Sequence, residues 1–111
     1  MNKIKNTIGE FTIIYTWEYY RLSHGELIVY LDGQFFDFGE NSLYSVLDDP
    51  KYIDLVEEEE QIIKNKKVWE IKKWPTKFPS DKKEKLLEII NESIPAYLEL
   101  ADFDSNGNYL K

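Results

Sequence analysis

The side chains able to do chemistry in this chain are few, and their spacing removes most reaction types. His24 is the single histidine, in the run Leu22-Ser23-His24-Gly25. An imidazole titrates near neutral pH, so a histidine in a glycine-containing loop can act as a general base. Nothing close by in the sequence orients it, and it reads as a solvated loop residue. The chain has no cysteine, which excludes disulfides, thiolate nucleophiles and cysteine-ligated zinc together. Serine and cysteine triads and histidine-rich metal sites therefore lack the residues they need. The five glycines stand singly, so no glycine-rich loop is built to cradle a phosphate.

Two short segments come nearer to a site. Glu70-Ile71-Lys72 matches the tail of the E-x-K signature of a large nuclease superfamily. That chemistry needs Glu70 and an upstream aspartate on a shared divalent metal, with Lys72 polarising the attacking water or the phosphate. The upstream acids Asp48, Asp49 and Asp54 fall on or beside a helical pattern rather than a neighbouring strand. Asp102-Phe103-Asp104-Ser105-Asn106-Gly107-Asn108 resembles the first half of a calcium-binding EF-hand loop, with oxygen ligands at positions 1, 3 and 5 and glycine at 6. The sequence reaches only Lys111, short of the glutamate such a loop requires. The segment reads instead as a turn at Asn106-Gly107 joining Phe103-Asp104 to Asn108-Tyr109-Leu110.

Charge is the strongest signal. The net is −7 from 21 acids and 14 bases, unevenly spread: residues 1–31 balance, 32–63 carry −9, 64–85 carry +6 and 86–111 carry −4. The acids concentrate in Asp48-Asp49, Asp54 and the run Glu57-Glu58-Glu59-Glu60. On a helix, successive glutamates spread around most of the circumference and repel their neighbours by tenths of a kcal/mol per pair, so folding does not call for them. They serve either as solvated decoration or as a surface for a basic partner: Asp48, Asp49, Asp54, Glu57, Glu58 and Glu60 are the candidate partner-binding residues. An acidic chain repels nucleic acid and attracts basic proteins. Phe11, Tyr15, Trp17, Tyr19 and Tyr20 could form a stacking platform for bases or sugars, but nucleic-acid platforms have basic surroundings. Core aromatics on an amphipathic strand explain them more simply.

The elements that must position these residues follow from periodicity. At 111 residues with 42% hydrophobic and 15% aromatic content, residues 1–111 form one globular domain large enough for a real core. No apolar run is long enough to span a membrane. The basic start Met1-Asn2-Lys3-Ile4-Lys5-Asn6 lacks a signal-peptide h-region, so a cytoplasmic protein is expected. Residues 10–20 alternate as a strand; 26–31 form a second, and 34–38 a third. Asp32-Gly33 between the last two predicts a type I′ hairpin, which needs positive φ at both central residues. Asn41 or Ser42 can cap a short helix through Leu47, and Asp49-Pro50 restarts one with apolar residues at Tyr52, Leu55, Val56, Ile62 and Ile63. Glu59 interrupts that stripe, so either the helix frays before it or the face there is not buried. Val68 to Trp74 alternates as a fourth, lysine-rich edge strand. Asp81, with Glu84 three residues on, caps a last helix whose buried side is Leu86, Leu87, Ile90, Ile94, Tyr97 and Leu98; Pro95 breaks it near Ser93. The order βββααβα, an antiparallel meander with helices on one face, is an α+β fold.

A small acidic chain with no catalytic set and a clustered negative surface resembles the bacterial immunity proteins that neutralise secreted nuclease toxins, including those of contact-dependent growth inhibition. The lysine, asparagine and isoleucine bias, with few arginines and alanines, fits an AT-rich bacterial gene. The resemblance implies a cytoplasmic inhibitor, without cofactor or metal, whose acidic side chains stand in for nucleic-acid phosphates at a basic cleft. The alternatives are a metal-dependent nuclease built on Glu70 and Lys72, or a small adaptor whose acidity serves only solubility.

Overall fold

The computed structural model describes residues 2–18, 22–52, 55–96, 102–103 and 109–110. It is an α+β fold. Four antiparallel strands, β1 (Asn2–Ile8), β2 (Phe11–Trp17), β3 (Glu26–Leu31) and β4 (Gln34–Glu40), lie in the order of the chain. Two strands, β5 (Leu43–Ser45) and β6 (Trp69–Ile71), make a second small antiparallel sheet. Helices α1 (Val56–Lys64) and α2 (Lys83–Ser93) flank β6 in sequence, and a final pair, β7 (Asp102–Phe103) and β8 (Tyr109–Leu110), closes the described chain. No helix among the described residues is long and apolar enough to cross a membrane.

The alternation of β2 sets the main sheet. Phe11, Ile13, Tyr15 and Trp17 are all buried, while Thr12, Ile14 and Thr16 on the other face are only half-buried. Register carries that division across the sheet, because directly paired residues share a face. Tyr15 pairs with Ile4 and Leu27, and Ile13 with Val29, which pairs in turn with Phe36. The β3–β4 hairpin turns at Asp32 (φ 51°) and Gly33 (φ 81°), both left-handed as a type I′ turn requires.

Several elements differ from the sequence expectation. The meander has four strands because residues 2–8 also pair, with Ile4 the only fully buried side chain of β1. One buried residue leaves too little alternation to read. Leu43–Ser45 is a strand rather than a short helix: Leu43 and Ser45 alternate with exposed Tyr44, and Ser45 Oγ caps a 3-10 turn at Val46–Asp48 by accepting from Leu47 N. The lysine-rich fourth strand pairs with this β5 and not with the meander, and bonds from Val46 N to Val68 O and from Lys72 N to Ser42 O extend the ladder at both ends. Asp81 does not cap α2. Ser80–Lys82 is a 3-10 turn, and Lys82 precedes the helix with no side-chain cap bond. The helix does end at Ser93, where Ile94 turns extended (ψ 122°) ahead of Pro95.

The core lies between the inner face of the main sheet and α2, which contributes Leu86, Ile89 and Ile90, with Ile94 just past its end. An aromatic cluster seals one end. Phe36 meets Phe78 at 5.0 Å between ring centroids, and Trp74 packs 5.3 Å from Phe78 and 5.6 Å from Phe38. The loop from Trp74 to Pro79 is thus pinned by its aromatics. Tyr97 and Leu98, assigned to the helix from sequence, and Tyr19 and Tyr20, assigned to the strand, lie outside the described residues.

Candidate functional site

The acidic segment is displayed rather than folded in. After β5, the chain makes two short 3-10 turns, Val46–Asp48 and Pro50–Tyr52, with Asp49 Oδ1 accepting from Lys51 N at 3.1 Å between them. Asp48 and Asp49 are exposed. Helix α1 follows, and none of its nine residues is buried. Ile62 and Ile63 rest half-buried against the core, and Glu59 is half-buried on the same side. Of the two outcomes foreseen at Glu59, the helix therefore continues through it with a face that is not fully buried. The negative side chains Glu57, Glu58 and Glu59 occupy the first turn, where the helix dipole favours acids and offsets part of their mutual repulsion.

The outward side of α1 combines two chemistries. Val56 is 62% exposed and Leu55 40%; beside them stand exposed Glu57, Glu58, Glu60 and Gln61. A shallow hollow is lined by Glu57, Glu58, Gln61 and Ile62. The ion pairs among the described residues are Lys66–Glu92 (2.6 Å), Lys82–Glu10 (2.6 Å) and Lys85–Glu88 (3.3 Å). None of them uses an acid between 48 and 60. Lysines of the basic segment are instead engaged elsewhere: Lys83 Nζ sits 4.9 Å from the Trp74 ring centroid and Lys72 Nζ 5.5 Å from that of Tyr44. Among the described residues, none of the three ion pairs draws on the glutamates of α1, whose own cation, Lys64, stands in the last turn. Asp54 lies outside the described residues.

The strands that precede and follow the acidic segment are anchored in the body of the fold. Leu43 of β5 and Trp69 of β6 are almost wholly buried, and the side chain of Asn91 on α2 mimics a strand partner for β6. Its Oδ1 accepts from Trp69 N at 2.7 Å, and its Nδ2 donates to Trp69 O at 3.1 Å and to Leu87 O at 3.0 Å. Sequence reasoning missed Asn91, as no pattern ties an asparagine on one helix to a strand 22 residues away. It also placed Leu55 and Val56 on a buried stripe, whereas they are exposed.

The other candidates fare differently. His24, on the 3-10 turn Leu22–His24, is exposed, and its Nδ1 lies 3.2 Å from Asn41 Oδ1. An orienting partner therefore exists, 17 residues away and invisible to local reading. Together they line a cleft of about 310 Å³ with Glu18, Glu26 and Glu40. Beneath this turn the buried Tyr15 hydroxyl donates to Leu22 O and accepts from Gly25 N at 2.9 Å. Burial pushes its pKa up to about 12, only partly countered by the bond from Gly25. A Cβ on Gly25 would meet Tyr15 Cζ at 2.4 Å, so glycine is required there. Glu70 and Lys72 are exposed on and just after β6; Glu70 lines a hollow of about 280 Å³ with Glu84 and Glu88, which Lys72 does not line. Among the described residues no group of three acids or histidines is placed to hold a metal ion. At the C-terminus, β7 and β8 pair antiparallel, Asp102 with Leu110 and Phe103 with Tyr109, as a hairpin there demands; residues 104–108 between them lie outside the described residues.

Compared with known proteins, the chain matches no family model, no curated protein and no solved structure.

Proposed function

We propose that this chain is an acidic inhibitor of a basic protein, an immunity protein that covers the active-site cleft of a secreted nuclease toxin. The supporting observation is the outward side of α1, where Glu57, Glu58 and Glu60 have no ion-pair partner among the described residues and stand beside exposed Leu55 and Val56. Apolar side chains ringed by charges are the anatomy of a protein interface. A nuclease cleft is basic because it binds phosphates, and carboxylates along a helix can occupy the same positions. Asp48 and Asp49 on the preceding turns extend the surface, and Asp54 joins them in sequence. Complementary fields of this kind raise association rates towards roughly 10⁸ M⁻¹s⁻¹ at low salt. Such an inhibitor acts in the cytoplasm, where the toxin meets nucleic acid.

The test is inhibition by a purified pair. The protein is used to capture partners from its source organism, and nuclease activity of any basic protein retained is measured with and without stoichiometric chain. Loss of cleavage is expected. Reversing Glu57, Glu58 and Glu60 to lysine should leave the fold intact and slow association at least about tenfold at low salt, with the loss shrinking as salt rises towards about 0.5 M. Lys67→Glu with Lys77→Glu, at exposed positions, serves as the control and should not weaken binding. A captured complex that cleaves at full rate, or one indifferent to the glutamate reversal at every salt, sinks the reading.

A further inference from the structure

The outer face of the main sheet carries lysines on one edge strand and acids on the other, none of them ion-paired among the described residues. Register aligns its side chains into three rows across β1, β2, β3 and β4: Lys3–Thr16–Glu26–Glu40, Lys5–Ile14–Ile28–Asp37 and Thr7–Thr12–Tyr30–Phe35. Every member is half-buried or exposed, with Phe35 at 52% and Tyr30 at 36%. Ile14 and Ile28 do not belong to the core cluster. Two rows thus begin with a lysine on β1 and end with an acid on β4, the second around the apolar pair Ile14 and Ile28 and the first around Thr16 and Glu26. The end strands are three spacings apart, about 14 Å, too far for Lys5 and Asp37 to meet over the isoleucines between them. Among the described residues none of Lys3, Lys5, Glu26, Asp37 and Glu40 makes an ion pair.

We propose that this face docks on a second copy of the chain about a two-fold axis parallel to the strands. Sheets stacked face to face lie about 10 Å apart with nearly aligned strands. An axis along the strands between β2 and β3 places β1 over the partner's β4, and each row over the same row reversed. Lys5 then faces Asp37 of the second copy, Lys3 faces Glu40, and Ile14 faces Ile28, with every contact repeated by symmetry. An axis across the strands would instead stack β1 on β1, putting lysine over lysine. The charges select the first arrangement. The flat face measures only about 400 Å², below the roughly 800 Å² per partner of a stable complex, so the dimer is weak and forms with rising concentration. This inference uses a surface other than α1 and stands apart from the inhibitor reading.

Lys3 and Glu40 give the cleanest test, because Asp37 Oδ1 also accepts from Gly39 N at 2.8 Å. Sedimentation equilibrium from about 10 µM to about 1 mM should show a monomer–dimer equilibrium with a dissociation constant on the order of 100 µM. K3E alone and E40K alone each place like charges opposite one another twice, and each should weaken the dimer about fivefold. An equimolar mixture of K3E and E40K should regain wild-type strength, because the mixed pair restores opposite charges at both corners. Native mass spectrometry would then find the mixed dimer in excess over either homodimer. Circular dichroism checks that both variants keep the fold. A chain monomeric throughout the range overturns the proposal, as does a mixture that associates no better than its components.

Discussion

Asn91→Ala isolates the joint between α2 and β6. The substitution removes three hydrogen bonds, from Trp69 N and to Trp69 O and Leu87 O. Each contributes a net of about 1 kcal/mol, with a further penalty where a buried group is left without a partner. Asn91 is half-buried, so water replaces part of what is lost, and the expected cost is about 2–3 kcal/mol. For a chain of 111 residues a melting temperature falls about 4 °C per kcal/mol, which gives roughly 8–12 °C. Urea unfolding followed by tryptophan fluorescence measures the first quantity, with buried Trp69 as a local reporter, and differential scanning calorimetry the second. Asn91→Asp sharpens the test. Its carboxyl still accepts from Trp69 N but faces the two carbonyl oxygens, to which only the protonated acid can donate. Its folded pKa is therefore raised above the unfolded value of about 3.9. The variant should be most stable below pH about 4 and lose stability as the pH rises through the raised folded pKa. An alanine variant within about 0.5 kcal/mol of wild type, the range of an ordinary surface change, would refute the argument that Asn91 pins β6.

Tyr15 makes stability fall at high pH. The folded chain holds the phenolic proton more tightly, with a pKa of about 12 against 10.0, so its contribution is complete below pH 10 and is lost as the pH climbs through 12. The loss amounts to about 3 kcal/mol, and Tyr15→Phe should remove that part of the alkaline dependence in urea titrations across this range. At the β3–β4 turn, Gly33→Val places a β-branched residue at a φ of 81°. Free space surrounds the position, so backbone strain alone should cost about 1–3 kcal/mol, and an unchanged melting temperature would contradict the turn geometry.

The legible parts of this fold are those fixed by neighbours in sequence. Alternation from Phe11 to Trp17 placed a strand and chose its buried face, since side chains on a strand point to opposite sides by geometry. Asp32-Gly33 set a hairpin because few residues accept left-handed φ, and Pro95 set a helix end because it cannot donate to a backbone carbonyl. Composition and charge density marked residues 48–60 as a surface without any coordinates. Those signals are local, and they survive whatever the rest of the chain does.

Pairing partners, exposure and orientation were not local. Val68 to Ile71 alternates equally well for either sheet, and its pairing with β5 rather than the meander is a choice of edge that no local pattern encodes. Leu55 and Val56 fit a helical stripe, yet the core was already filled by Leu86, Ile89 and Ile90 from α2, which left the start of α1 in solvent. Asn41 beside His24, Asn91 beside Trp69, and the lysine-to-acid rows of the outer sheet face each join residues separated in sequence. The amino-acid sequence by itself determined the strand at Phe11–Trp17, the hairpin at Asp32-Gly33, the helix end before Pro95 and how much negative charge one stretch would carry. Tertiary structure alone decided which side chains share a surface, because proximity across a fold is set by the competition of all segments for one core.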